Sequence, residues 1–394
     1  REIGTVDRIP EFIAKAKDQS YSLHVAIYEM GWPAVLEALK AAHQRKVKVR
    51  VVYHAKEDET GETNEQQIDA AKIRGLCSPR KNTKIMHNKF MVLSRNGKPV
   101  SVWIGSTNWS RNALHGQLNV GHAIHDAALA KAFLGYWTEL ESDPAADAMK
   151  DWTETNNPLP PKTKTAALTP MFSPHRGRPT WDWLVELAQT PGKPLFMTFP
   201  FGIVKDFRPV FDQNDGVLRF ALLDKYVNGG SAASRKEAIA EIEATRRHPN
   251  IGMAVGNRIF VDSVDGWMKE PSAIGVNVNW VHTKFMLIDP LGTKPVTLSG
   301  SANWSEASVN DNDEHLVVVR GDKRVADIYF GEFMRLFAHH RFRESVARHI
   351  EEFGEESFDT WKPQDLFEDW RKWVPKHFEA GSEYDIKRRY FAGV

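Results

Sequence analysis

The chain has 394 residues, enough for two hydrophobic cores on a scale of roughly 100–200 residues per domain. Its 42% hydrophobic and 26% charged residues are a globular composition, and 52 basic against 51 acidic residues leave a net charge of +1, which excludes an overall basic nucleic-acid-binding chain but not a local basic cleft. The lone cysteine, Cys77, excludes an intrachain disulfide and argues against a cysteine zinc site, and no apolar run of about 18 residues predicts a membrane-spanning helix. The sequence begins at Arg1 rather than methionine, so a cytoplasmic protein and a secreted one with its signal peptide removed both fit.

In chain order, residues 11–17 predict a short amphipathic helix and Ser22–Tyr28 a strand. Trp32–Gln44 places Val35, Leu36, Leu39 and Ala42 on one helical face, and Val47–Tyr53 alternates like a half-buried strand. Strand, helix and strand in so short a span predict a parallel crossover unit. Residues 56–83 are polar and read as a loop plus a helix. Lys84–Leu93 and Val100–Ile104 read as strands joined by an Asn96-Gly97 hairpin turn. Ala127–Glu141 is a predicted helix. From Ser142 to Pro170, prolines punctuate a stretch of little periodicity, which reads as a linker. The predicted domains are therefore 1–160, 161–340 and a C-terminal extension, 341–394.

The second half predicts a helix at Thr180–Ala188, strands at Leu195–Phe199 and Val217–Phe220, and a helix at Ser234–Thr245. Short strands follow at Ile251–Ala254 and Arg258–Val261. Longer ones are expected over Val278–Asp289, Val296–Gly300 and His315–Arg320, then a helix at Lys323–Ala338. Residues 341–394 read as helices in which Trp361, Phe367, Trp370, Trp373 and Phe378 alternate with charge. They form a cap or a lipid- or base-contacting surface.

One stretch occurs twice. His87–Ser110 reads HNKFMVLSRNGKPVSVWIGSTNWS, and His282–Ser305 reads HTKFMLIDPLGTKPVTLSGSANWS. The histidines are separated by 195 positions, and so are Lys89 and Lys284, Gly105 and Gly300, Ser106 and Ser301, and Asn108 and Asn303. No gap interrupts the register, so the repeat is internal to the chain. On a strand, positions two apart share a face, so each His-x-Lys pair points one way. Buried histidine and lysine on an apolar strand are costly unless they line a cleft. Two histidines can divide a substitution between nucleophile and acid. Two lysines meet non-bridging oxygens, and Ser106, Ser301, Asn108 and Asn303 add neutral donors. No acidic cluster suggests a metal, and no cofactor is implied. This inventory suits a phosphodiester better than an ester or a peptide.

The paired H-x-K-x(4)-D and G-S-x-N elements resemble the phospholipase D superfamily across residues 15–340. The resemblance implies an α/β fold of two pseudo-twofold-related lobes, each a mixed β-sheet flanked by helices, followed by the helical extension. It implies one active site in one chain, so a monomer suffices, and metal-independent phosphoryl transfer through a phosphohistidine. By the same resemblance His87 and His282 are the catalytic pair, with His87 the nucleophile and His282 the general acid. Lys89, Lys284, Asn108 and Asn303 would bind phosphate, supported by Ser106 and Ser301.

The copies differ in two places. The motif's acidic position is Asp289 in the second copy and Ser94 in the first. The later carboxylate matches Glu314, and at that offset the first copy has Asn119. A carboxylate on the far ring nitrogen fixes the tautomer and stabilises imidazolium. Matched copy by copy, His282 is then the better-supported histidine, which strains the assignment of His87 as nucleophile. If Ser94 marks degeneration, the chain is a non-catalytic phosphate-binding module.

Other features have plainer readings. The Asn108-Trp109-Ser110 and Asn303-Trp304-Ser305 sequons fall inside the motif and are not expected to carry sugar. Trp109 and Trp304 are expected in the core, and His54, His115, His122, His125 and His315 as structural or surface residues. The basic run His339–Arg343 suits a helix end. For the substrate, a phospholipid headgroup fits an apolar rim from the Trp-rich tail and Phe196–Phe207, with peripheral membrane contact. A nucleic acid fits Lys81, Lys84, Arg95, Lys98 and Arg111 around the first motif. The phospholipid is the preferred reading.

Overall fold

The structure, a computed structural model, describes residues 5–160, 166–226, 231–256, 280–354 and 369–394. The first half runs α1 (Thr5–Ala14), β1 (Tyr21–Ile27), α2 (Pro33–Gln44), β2 (Lys48–His54), α3 (Glu59–Ala71), β3 (Cys77–Arg80), β4 (Lys89–Arg95), β5 (Lys98–Gly105), β6 (Gly121–Ile124) and α4 (Ala127–Glu141). The second runs α5 (Ala146–Asn156), β7 (Leu168–Ser173), α6 (Pro179–Ala188), β8 (Leu195–Phe199), α7 (Arg208–Phe211), β9 (Arg219–Leu223), α8 (Ala232–Thr245) and β10 (Ile251–Val255). It continues with β11 (Phe285–Ile288), β12 (Val296–Gly300), α9 (Glu306–Asn310), β13 (Glu314–Arg320), α10 (Lys323–Phe353) and α11 (Glu383–Ala392).

The sheets repeat one order. The first is β3-β2-β1-β4-β5-β6, and the second is β10-β9-β8-β11-β12-β13 with β7 added at its edge. In each, the first three strands are parallel and the next pairs antiparallel to them. The β1-α2-β2 crossover is parallel, as its pattern predicts. Asn96 and Gly97 both hold positive φ, 51° and 72°, as a two-residue hairpin between right-twisted strands requires. Two mixed sheets flanked by helices are the expected fold class.

The described residues fall into two compact units. One comprises Arg1–Leu184, His282–Phe285 and Thr297–Asp322. Its core gathers Leu23, Val25 and Ile27 of β1, Val49 and Val51 of β2, Leu39 of α2 and Phe12 of α1, all buried. The other comprises Val185–Val281, Met286–Val296 and Lys323–Val394. Its core is aromatic: Phe196 stacks on Phe220 at 5.1 Å, and Phe333 and Phe337 of α10 pack edge-on against this pair. Each such ring pair contributes about 0.5–1.5 kcal/mol beyond the area it buries. Among the described residues, no helix is long and apolar enough to cross a membrane.

Three expectations need correction. The stretch from Ser142 to Pro170 is not a plain linker, because it holds α5 and the start of β7. Pro170 survives in β7 because β7 is an edge strand, where one side of the backbone needs no partner. Of the strand expected over Val278–Asp289, the described part holds only β11, and the helix expected to end at Ala338 continues to Phe353. The strand expected at Arg258–Val261 lies outside the described residues.

The motif glycines have a steric cause. A Cβ on Gly105 would lie 2.2 Å from the Val120 carbonyl oxygen, and one on Gly300 would lie 2.1 Å from that of His315. Only glycine lets these strands approach, and the next residue then completes the pairing. Ser106 N–H donates to Val120 O and Ser301 N–H to His315 O. Gly105→Ala and Gly300→Ala are each expected to destabilise the fold by about 1–3 kcal/mol through overpacking, read as a lower midpoint in urea with an unchanged slope. Wild-type midpoints for both would overturn the steric reading.

Candidate active site

The two histidines precede regular strands rather than lying within them. β4 begins at Lys89 and β11 at Phe285. Their main chains are caught instead by the segment that follows the other copy's G-S-x-N element. His87 N–H donates to Asp313 O at 2.9 Å, and Asp313 N–H returns to Ile85 O at 2.9 Å. His282 N–H donates to Leu118 O at 3.1 Å. These residues all belong to the first compact unit.

The rings follow the same crossed pattern. His87 Nδ1 lies 2.9 Å from both carboxylate oxygens of Glu314. His282 Nδ1 lies 2.8 Å from Asn119 Oδ1. The Asn119 amide is oriented by its Nδ2, which donates to Ala113 O at 2.9 Å, so Oδ1 is the atom left to accept. Both histidines therefore carry Nδ1–H, which puts the lone pair on Nε2 when they are neutral. This corrects the copy-by-copy matching above. The carboxylate that follows the second motif supports the histidine of the first, so His87 and not His282 has the charged partner. Register along the chain misassigned it because the pairing joins residues 227 positions apart.

The serines tie these partners down. Ser106 Oγ donates to Asn119 Oδ1 at 2.8 Å and accepts Val120 N–H at 3.1 Å. Ser301 Oγ accepts His315 N–H at 2.9 Å, and its hydroxyl also holds Glu314. Both serines are fully buried. Each lysine folds back on its own histidine: Lys89 Nζ donates to His87 O and Lys284 Nζ to His282 O, both at 2.7 Å. Asn108 is buried and Asn303 partly buried, and each leaves Oδ1 without a hydrogen-bond partner.

Burial governs the charges. It holds the His87 and His282 imidazoles well below their ordinary range, and Lys89 and Lys284 reinforce this in both. Burial also pushes the Lys89 ammonium down to about 7, opposed by Glu314 and Glu29. It pushes the Glu314 carboxyl up to about 7, opposed first by Lys89. Burial thus opposes positive charge on both histidines and on Lys89, and an anion brought among them would favour their protonated forms.

The remaining expected residues are elsewhere or differently placed. Asp289 belongs to the second unit, where its carboxylate pairs with Lys193 at 2.8 Å. Its counterpart Ser94 is buried with Oγ unpartnered. Trp109 and Trp304 are buried, as expected. His315 is buried with Nδ1 on Asn88 Oδ1, and His54 Nδ1 accepts Met86 N–H.

Three residues gave no signal in the sequence. Tyr28, just past β1, packs its ring 5.0 Å from that of His87 and 5.1 Å from the Lys89 ammonium. Arg80 is fully buried, and its Nε donates to the Asp313 carboxylate at 2.9 Å. Arg80 also reaches Asp143 and the Pro144 carbonyl. Since Asp313 O holds the His87 backbone, this buried pair braces the histidine. Arg80→Met leaves the Asp313 charge buried and unpaired, so a loss of about 3–5 kcal/mol is expected in chemical denaturation. Arg80→Met with Asp313→Leu should recover most of it. A single variant of wild-type stability would contradict the bracing role.

The family profile described as cardiolipin synthase, PLD-like domain, matches residues 9–140 and 235–337, more than half of the chain. No curated protein matches the sequence. Among solved structures, a phosphatidylserine synthase from Haemophilus influenzae has a TM-score of 0.57 at 11% identity, covering 90% of this chain and 91% of that one. A polyphosphate kinase from Porphyromonas gingivalis has a TM-score of 0.53 at 11% identity over 84% of this chain, which spans only 48% of the kinase. The phospholipase D family member Nuc from Salmonella typhimurium is 23% identical over 35% of this chain and 87% of its own, with a TM-score of 0.30. At these identities the likeness is one of fold. The doubled motif, the repeated sheet order and the profile match together show that the chain belongs to the phospholipase D superfamily, in the family of the cardiolipin synthase PLD-like domain.

Proposed function

We propose that the chain is a phosphodiesterase of phospholipase D type that acts on a phospholipid headgroup through a phosphohistidine, without a metal ion. The observation that carries this reading is the crossed support of the histidines, carboxylate on His87 and amide on His282. His87 Nε2 attacks phosphorus while the bond from phosphorus to the leaving oxygen breaks. His282, protonated when the diester anion joins it among the lysines, gives its Nε2 proton to that oxygen. The phosphorylated imidazole is positively charged, and the Glu314 carboxylate stabilises it. A neutral Asn119 amide holds the His282 proton less firmly, which suits an acid. In the second step His282 takes a proton from water or an alcohol, whose oxygen attacks phosphorus and breaks the bond to His87. Lys89 and Lys284 bear the charge of the non-bridging oxygens in both steps.

The family description and the end-to-end likeness to a phosphatidylserine synthase favour a phospholipid over a nucleic acid. Both names describe synthases, so alcohol acceptors belong in the test beside water. The assay uses a chromogenic phosphodiester in excess EDTA, then phosphatidylcholine vesicles with and without glycerol, and single- and double-stranded DNA and RNA. Turnover of the diester and release of choline are expected, with His282→Ala slowed by about 10²–10⁴-fold. No turnover in any arm, or wild-type turnover by a His87→Ala, His282→Ala double variant, would eliminate the proposal. Cleavage of nucleic acid without choline release would replace the lipid with a nuclease substrate.

A further inference from the structure

The second compact unit carries a surface that the site does not explain. Between residues 369 and 394 there are six Lys or Arg side chains and four Asp or Glu. Three of those acids pair locally, Asp369 with Arg371, Glu383 with Lys387 and the buried Asp385 with Arg388 and Arg389, and the segment keeps a net excess of two basic groups. Large rings stand in solvent among these charges: Trp370 is 56% exposed, Phe378 63% and Phe391 41%. Burying rings of this size is ordinarily favourable, so their exposure beside a basic excess fits a surface that is covered when bound. On α11, Tyr384, Arg388 and Phe391 follow a helical spacing that places them on one face.

The arrangement of rings and cations selects the partner. Arg371 lies over the Trp370 ring at 5.4 Å, Lys376 over Tyr384 at 4.1 Å, and Arg388 over Phe378 at 4.7 Å. A single-stranded nucleic acid would stack its bases on ring faces, and here a cation already lies over one face of Trp370 and one of Phe378. A bilayer interface asks for something else: rings entering the headgroup layer with basic groups beside them to meet lipid phosphates. We propose that residues 369–394 form a docking surface for an anionic lipid bilayer. The exposed rings supply the apolar contact, and the basic excess supplies the preference for negative headgroups. The surface is independent of the chemistry proposed for the histidines and stands whether or not the substrate is a lipid.

The test is co-sedimentation of the full chain with vesicles of phosphatidylcholine alone and of phosphatidylcholine with about one-third phosphatidylglycerol. Binding to the anionic vesicles, weakened by added salt, is expected. Trp370→Ser with Phe378→Ser should lower the partition coefficient by about tenfold or more, and Arg371→Gln with Lys372→Gln should lower it on anionic vesicles only. Because these side chains are exposed, thermal unfolding and turnover of a soluble diester should stay at wild-type values, which separates this result from any failure of the catalytic proposal. Equal partition on both vesicle types, wild-type binding by the variants, or variants that lose retention of single-stranded DNA while keeping vesicle binding would each overturn it.

Discussion

A hydrogen bond that crosses the repeat is the constraint on which the rest of the site depends. Glu314 is fully buried, and a buried carboxylate is costly unless it is hydrogen-bonded and near positive charge. It meets His87 Nδ1, the Ser301 hydroxyl and the field of Lys89 and Lys284. Those contacts need the end of β12 and the start of β13 brought against the start of β4. The Gly300 close approach and the main-chain pairing of Met86 with Asp313 accomplish this. The backbone is thus specified by the needs of one ion, and Arg80 adds a second buried charge pair one residue away.

The same construction on the other half uses a neutral amide. Asn119 occupies the place that Glu314 occupies, with Ser106 in the place of Ser301 and His282 in the place of His87. Two carboxylates would put two buried negative charges into one small region, and one carboxylate leaves the site short of negative charge. An anion bound there would relieve the mutual repulsion of buried cations instead of meeting a neutralised pocket. The asymmetry gives the two histidines unlike partners, a carboxylate for His87 and a neutral amide for His282.

Much of this was legible in the sequence because it is local or repeated. The hairpin at Asn96-Gly97, the parallel β1-α2-β2 unit and the doubled His-x-Lys and Gly-Ser-x-Asn elements each leave a short-range pattern. The partner of each histidine leaves none. Glu314 and Asn119 stood out as unequal residues at one offset, but chain order pointed to the wrong histidine, since a crossed contact has no periodicity. Arg80 and Asp313 were invisible for the same reason: each is an ordinary charged residue until the fold places it in the other's reach. The stretch around α5 and β7 failed differently, because prolines that signal a linker are also tolerated at a sheet edge.

The crossed support is tested most directly by trapping the covalent intermediate. Acid quench of the wild-type chain during turnover of a diester labelled at phosphorus, followed by peptide mapping, locates the labelled histidine. Label on His87, and on His87 also in a His282→Ala variant that forms and resolves the intermediate more slowly, is the expected result. Label on His282 would contradict the assignment that Glu314 and Asn119 support.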